Sequence, residues 1–373
     1  MLRYLTAGES HGKALVAILE GMPAGLKIEE DFINTELSRR QRGYGRGKRM
    51  EIEQDRIEII SGLRKSKTIG SPIALLIKNR DYSIERLNSL TKPRPGHADL
   101  AGALKYGFDD VRNVLERASA RETAVRVAVG ASCKILLDEF GIEVMSHVLC
   151  IGGIEAHLFG ISLEELKRRS RRSPVGCADE NAAKLMMKRI ETMRERGDSL
   201  GGTFEVIAKN VPPGLGTYAQ SDLRLDSRIA GALVSIHGVK GAEIGNALIG
   251  ARVPGSQFHD EIFYRKGKGF YRKTNNAGGI EGGVSNGEII LARAFMKPIS
   301  TLSSPLSSVD IKTKKQFKAS VERHDICAVP AAGVIGEAVL AFEIAKAMRE
   351  KFAGDSVLEM KRNYHGYLRQ LAK

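Results

Sequence analysis

Val111-Arg-Asn-Val-Leu-Glu-Arg-Ala-Ser-Ala-Arg-Glu-Thr-Ala-Val-Arg-Val-Ala-Val-Gly-Ala-Ser-Cys-Lys-Ile-Leu-Leu-Asp-Glu-Phe140 runs thirty residues without a proline and stops at Gly141. It predicts one long helix, interrupted only by Gly130 and closed by Gly141. A second long helix is expected over Gly333–Phe352, after a turn at Pro330–Gly333. Shorter ones are expected over Asp31–Arg40 and over Leu225–Ile236, the latter entered at an Asp or Ser cap. Apolar runs bounded by turn residues read as strands: Ala14–Leu19 (stopped by Gly21, Pro23 and Gly25), Glu143–Ile151 and Gly202–Val211. Arg49–Ile60 alternates through Ile52, Ile57 and Ile59 as a hairpin would. Strands grouped between a few long helices, without regular βαβα alternation, predict an α+β fold rather than a doubly wound parallel sheet. With no linker and no short repeat, residues 1–373 read as a single domain, of which 353–373 is a tail without diagnostic motifs.

The composition is that of a soluble globular protein, 42% apolar and 27% charged. Its net charge of +14 and pI near 9.6 admit nucleic acid as a partner without requiring it. The four cysteines (Cys133, Cys150, Cys177, Cys327) form no CxxC pair, which argues against zinc or disulfides and fits buried thiols in a reducing cytosol. The N-terminus has no apolar signal core and no apolar run is long enough to span a membrane, so a cytoplasmic protein is expected, with no membrane partner and no metal.

From Arg39 to Arg49 the chain reads Arg-Arg-Gln-Arg-Gly-Tyr-Gly-Arg-Gly-Lys-Arg, five arginines and a lysine in eleven residues. Charge this dense, interleaved with glycines, suits either a flexible arm on RNA or a folded pocket for a small polyanion. Aromatic residues do not interleave the run as base-stacking platforms would, which favours the pocket. Gly8-Glu-Ser-His-Gly-Lys13 is one residue short of a phosphate loop and has Ala14 where a magnesium-binding Ser or Thr belongs; Gly43-Tyr-Gly-Arg-Gly47 is not a dinucleotide fingerprint. The polar segments that remain combine His or Arg with Gly or Pro, as rigid presentation requires: Gly8–Gly12 with His11, Arg94-Pro-Gly-His-Ala-Asp99, Arg117–Thr123, Arg323-His-Asp325, the glycine-rich loop Asn275–Gly287, and Lys297–Thr301.

Gly8-Glu-Ser-His-Gly-Lys-Ala-Leu-Val-Ala-Ile-Leu-Glu-Gly-Met-Pro23, Ala118-Ser-Ala-Arg-Glu-Thr123 and Arg323-His-Asp-Ile-Cys-Ala-Val-Pro330, the last running on to Glu337, resemble the signatures of the chorismate synthase family, and the likeness runs in order from Met1 to about Phe352. The resemblance implies a helical layer between antiparallel sheets, a homotetramer, and conversion of 5-enolpyruvylshikimate 3-phosphate to chorismate by 1,4-anti elimination of phosphate. Reduced FMN is then required without net redox change. It assigns His11 to the departing phosphate, His97 to the flavin near N1 and Asp325 to the side of N5. It gives Arg40, Arg46, Arg49, Arg94 and Arg121 to the substrate anions, with Arg39 and Lys48 shaping the field. It gives Arg117, Ala118, Ser119, His237, Gly238, Gly282, Lys297, Pro298, Ile299, Ser300, Thr301 and Arg323 to FMN. The family generally has Asn-Ala where this chain has His237-Gly238, and Ser where it has Ala118. No region is large enough to be a second, reductase domain, so reduced flavin is expected from an external flavin reductase, with NADPH as an indirect reductant.

Overall fold

Two antiparallel sheets form the outer layers of this computed structural model, which describes residues 1–47, 53–267, 269–322 and 324–371. The first has the order Arg3–Ala7, Ala14–Glu20, Ile73–Lys78, Glu58–Ser61. Alternation puts Leu15, Ala17 and Leu19 on one face, opposite Ile77, Leu75 and Ile73 of the next strand, and all six are buried. The second runs Val239–Ile244, Ile290–Met296, Gly202–Lys209, Glu143–Ile151, Ile154–Glu155. Its buried row is Phe204, Val206 and Ala208, flanked by Val148 and Val144 on one side and by Ala294, Ala292 and Ile290 on the other.

Helices fill the space between. Thr123–Asp138 packs on the first sheet through Ala14–Glu20 and Ile73–Lys78, Val329–Phe352 packs on the second through Glu143–Ile151 and Gly202–Lys209, and the two helices pack on each other beside Glu30–Gln41. Thr123–Asp138 is buried at every position but Ile135 and Asp138, as expected of a helix with protein on all sides. The helices cross at Gly130, where a Cβ would stand 2.3 Å from Cα of Ala338. Charge inside this layer is balanced: Glu337 takes two bonds from Arg39 (2.9 and 2.7 Å), one from Lys134 and one from the Ser146 hydroxyl (2.7 Å), while Glu36 binds the same Arg39 and Lys134. Burial alone would push the Glu337 carboxyl up, but Lys134 and Arg39 together hold it well below the carboxylate range.

Several elements differ from the sequence reading. The helix expected over Val111–Phe140 breaks in two, Arg112–Arg117 and Thr123–Asp138, joined by a 3-10 turn at Ala120–Glu122. Ser119 is extended and its hydroxyl accepts the Arg121 N–H, so it caps the new turn and re-aims the helix beyond it. Arg117 and Arg121 therefore do not share a helix face. Beyond the break Glu122 accepts from Thr6, and Arg126 reaches Ser235. Pro330–Gly333 is not a separate turn but the start of the Val329–Phe352 helix, where proline's missing N–H is harmless. Of the Arg49–Ile60 hairpin, the described part is a strand only from Glu58, and it pairs with Ile73–Lys78 instead. The Leu225–Val234 helix is preceded by Arg224, with no side-chain cap. The tail forms a further helix, Val357–Leu371, whose Val357, Met360 and Tyr364 join the core. All four cysteines are free; burial raises Cys177 to about 11 and Cys327 to about 12, leaving both thiols protonated at neutral pH.

Candidate functional site

At one end of the helix layer a cavity of about 470 Å³ gathers residues from widely separated segments of the chain. His11 sits in the tight connection between the first two strands. Gly8 makes that connection possible: its φ is +106°, and a Cβ there would lie 2.3 Å from the Ala14 carbonyl oxygen. The Asn79 amide donates to the carbonyls of Glu9 (3.1 Å), Ser10 (3.3 Å) and Gly12 (2.8 Å), pinning the loop from below. The His11 backbone N–H donates to Glu116 (2.8 Å), and its Nδ1 stands 3.0 Å from both Glu116 oxygens. With Nδ1 so engaged, Nε2 is the free nitrogen, 3.9 Å from Asp81. Burial pushes the Glu116 carboxyl up, but the bonds from His11 and the charge of Arg112 outweigh it and hold the group below its ordinary value.

His97 is held in the same manner. Its Nδ1 bonds Asp99 and lies 3.0 Å from Nη2 of Arg94, while Arg94 binds Asp99 at 2.8 and 3.1 Å and the Thr301 hydroxyl at 2.8 Å. Asp99 is buried, which raises it, yet His97 and Arg94 bring it well below the carboxylate range. Arg40, in the last turn of Glu30–Gln41, and Arg121, aimed inward by the break at Ser119, meet on the two oxygens of Asp55, at 2.6 and 2.5 Å. Arg121 also donates to Asn79 (3.0 Å), so the loop bearing His11 and the arginine pair share a support. Burial raises Asp55, and the two arginines more than reverse it.

The described part of the basic run, 39–47, is folded, not an arm. Gly45 accepts the Ile326 N–H (2.8 Å), Gly47 donates to Asp325 (2.7 Å), and Arg46 pairs with the other Asp325 oxygen (2.8 Å). A Cβ on Gly47 would lie 2.5 Å from the His324 carbonyl, so glycine permits this close approach. The remaining wall contains Ala118, Ser119, His237, Gly238 and Lys297–Thr301. Lys297 donates to Ser300 (2.8 Å), and burial, reinforced by Lys240, lowers its pKa. His237 Nδ1 is buried without a hydrogen-bond partner, and its ring is pushed towards the neutral form, chiefly by burial.

The structure therefore brings together His11, His97, Asp325, Arg40, Arg46, Arg94, Arg121 and most of the expected wall. It does not bring Arg117 to the cavity lining. That guanidinium clamps the carbonyls of Gly8 (2.9 Å) and Thr6 (3.1 Å), and so braces the His11 loop from outside. Gly282 lies in the turn of the small hairpin Ile280–Glu281/Val284–Ser285, away from the cavity lining. Arg39 belongs to the buried Glu337 cluster. Arg49, Arg323 and Lys48 fall outside the described residues. Sequence reasoning missed Asp55, Asn79 and Glu116. Glu116 lies within Val111–Phe140, one residue before Arg117, but nothing local distinguishes Asp55 or Asn79.

The family model described as chorismate synthase matches residues 2–349. The chain belongs to the chorismate synthase family. Among its relatives, the chorismate synthase of Desulforudis audaxviator (strain MP104C) is 55% identical over 383 residues, covering 100% of this chain and 98% of the relative. That of Geobacter sulfurreducens is 55% identical over 387 residues, covering 99% and 98%. A crystal structure of chorismate synthase superposes with a TM-score of 0.84 at 44% identity, covering 100% of this chain and 98% of the other. The likeness thus includes the C-terminal helix, which carries no recognisable motif. As a member of the chorismate synthase family the protein is an enzyme, a lyase of aromatic amino-acid biosynthesis that forms chorismate and phosphate from 5-enolpyruvylshikimate 3-phosphate.

Proposed function

We propose that this elimination takes place in the 470 Å³ cavity, with Arg40, Arg46, Arg94 and Arg121 holding the substrate's carboxylates and phosphate and His11 protonating the departing phosphate. The observation that carries the reading is the convergence of four arginines and two oriented histidines on one cavity from separate parts of the chain. His11 suits the acid role because Glu116 fixes its tautomer and complements the positive charge of an imidazolium, leaving Nε2 to deliver the proton to the leaving oxygen. Asp325, anchored by Arg46 and Gly47, is the acceptor for the proton lost from C6. Loss of that proton and of phosphate leaves the chorismate diene with no net oxidation.

The cavity also suits FMN. Ile236, Met296 and Ile299 supply apolar surface for a ring system, Ser119, Ser300, Thr301 and Lys297 supply donors, and the orphaned His237 Nδ1 is a polar atom that a bound ring could satisfy. Reduced FMN, when bound, supplies an electron-rich ring that assists cleavage of the carbon–oxygen bond. We assign His97 to the flavin N1 side, Asp325 to the N5 side, and Ala118, Ser119, His237, Gly238 and Lys297–Thr301 to holding the cofactor. Reduced flavin comes from an external reductase, with NADPH as its electron source. The protein is read as a cytoplasmic single domain, supported by a core that runs from Leu2 to Tyr364. It is read as a homotetramer, supported by exposed apolar surface: Leu5 opposite Ile18 on the outer face of the first sheet, and Ile262, Tyr264 and Phe270 on one hairpin.

The test is anaerobic phosphate release from 5-enolpyruvylshikimate 3-phosphate with FMN either dithionite-reduced or oxidised. Turnover restricted to reduced flavin, and its loss in His11→Ala with flavin binding retained, is the expected result. Equal turnover with oxidised flavin, or an unimpaired His11→Ala, would overturn the assignment.

A further inference from the structure

Behind the wall that carries Arg40 and Arg46 lies a second cavity, of about 270 Å³. The same two segments separate the chambers. Arg40, Arg46, Ala331 and Ala332 face the first; Arg42, Gly43, Pro330 and Gly333 face the second. No Asp or Glu stands in the second lining, and no Phe, Tyr or Trp; its one ring, His147, is buried against Glu205. At its inner end Arg39 is already neutralised by Glu36 and Glu337. At its mouth Arg42, Arg171 and Arg172 are exposed, and none has a carboxylate partner among the described residues. This is not the general state of the Leu163–Arg172 helix, whose Arg168 and Arg169 both bind Glu165. On this helix the cations left uncompensated, among the described residues, are the two that line the cavity. Ser173, next in the chain, accepts the Cys177 N–H with its Oγ at 3.2 Å and retains its own hydroxyl proton to donate.

We propose that this second cavity is a binding site for a phosphate-class dianion, free phosphate or the phosphate of a small ester, held by Arg42, Arg171 and Arg172 with the Ser173 hydroxyl as a neutral donor. Guanidinium forks match tetrahedral oxyanions, and the positive end of the Val329–Phe352 helix adds to the field at Pro330. A pocket of this volume, with no Phe, Tyr or Trp in its lining, suits a compact anion rather than a nucleic-acid strand.

Isothermal titration with inorganic phosphate, and in parallel with glycerol 3-phosphate, at constant ionic strength tests this directly. The chain is expected to show two classes of phosphate site. Arg171→Gln/Arg172→Gln weakens one by about ten- to a hundredfold, the loss of charged hydrogen bonds. Arg46→Gln, in the first cavity, weakens the other. Tighter binding of glycerol 3-phosphate at the class lost in Arg171→Gln/Arg172→Gln identifies an ester as the ligand; tighter inorganic phosphate identifies the free anion. Both side chains are exposed at a helix end, so the double variant is expected to keep its far-UV dichroism. Should it not, Arg42→Gln, on a different segment, carries the same expectation. A single class of site sensitive only to Arg46→Gln, or an isotherm unchanged in Arg171→Gln/Arg172→Gln or in Arg42→Gln, would overturn the proposal.

Discussion

Replacing Asp55 by Asn removes the charge on which Arg40 and Arg121 converge while leaving the side-chain volume nearly unchanged. The Asp55 side chain has no solvent exposure and those of the arginines have 3% and 2%, so water cannot take over its role. Removing one partner of a buried ion pair costs about 3–5 kcal/mol. Two features bring this case to the lower end: the amide oxygen keeps one acceptor, and Glu53 stands 3.6 Å from Arg121. At ~2.1 cal/mol/K of unfolding entropy per residue, 373 residues give roughly 0.8 kcal/mol/K, so a loss of about 3 kcal/mol lowers Tm by about 4 °C. The pH dependence has a definite sign. Asp55 is held below its unfolded value, so its contribution is complete above roughly pH 4 and is lost as pH falls through the depressed folded value. The gap between Asp55→Asn and the parent should therefore stay constant from about pH 8 to 5.

Ligand should narrow that gap. The variant's cavity carries one more unopposed positive charge, so an anion placed there recovers part of what the carboxylate supplied, and inorganic phosphate should raise Tm further in Asp55→Asn than in the parent. Scanning calorimetry with and without phosphate measures both effects. A variant within about 1 kcal/mol of the parent at pH 7, or a gap that closes above pH 5, would refute the claim that the pair is held by this buried carboxylate. Equal phosphate shifts would refute the claim that it faces the anion site.

Glu116→Gln keeps the shape around His11 but removes the charge that complements its imidazolium, so kcat for phosphate release should fall by about a hundredfold with a small change in KM; an unchanged kcat would remove His11 from the acid role. Gly130→Ala places a methyl against Cα of Ala338, and since backbone cannot rotate away, the overpacking, about 2 kcal/mol, should exceed the gain of up to about 1 kcal/mol in helix propensity; a higher denaturant midpoint would contradict the close crossing. His237 should titrate below the ordinary histidine value of about 6.5, so an imidazole NMR titration with its midpoint at or above that value would contradict its burial.

The elements that were legible are those in which local pattern and tertiary demand agree. Ala14–Glu20 alternates because one face meets the helix layer, and Thr123–Asp138 is buried almost throughout because it lies between a sheet and another helix. The break at Ser119 was not legible, since Ala118-Ser-Ala120 is compatible with helix; the turn it makes brings Arg121 to Asp55, sixty-six residues away. The Leu163–Arg172 helix did carry a signal, Ser162 three residues before Glu165, with the Ser162 hydroxyl accepting the Glu165 N–H. At the site, residue types that bind anions were visible as arginines and histidines beside glycines. Their supports were not, because Asp55 and Asn79 look in sequence like ordinary polar residues of a loop and a strand end.

Those supports explain how such a cavity can exist in the folded protein before any ligand arrives. The four arginines face carboxylates already in place: Asp55 between Arg40 and Arg121, Asp99 on Arg94, Asp325 on Arg46; Glu116 and Asp99 stand behind the two histidines. Four guanidiniums against Asp55, Asp99, Asp325 and Glu116 leave this set without net charge while both imidazoles are neutral, and with two positive charges when both are protonated. A bare cluster of buried arginines would repel itself and destabilise the fold. The balanced set avoids that cost but is not, by itself, matched to a substrate with two carboxylates and a phosphate. Beside it stand the two imidazoles, His11 and His97, each with Nδ1 committed to a carboxylate and so held in one orientation. The carboxylates therefore act twice: Asp55, Asp99 and Asp325 neutralise the arginines, and Glu116 and Asp99 orient the two histidines through Nδ1.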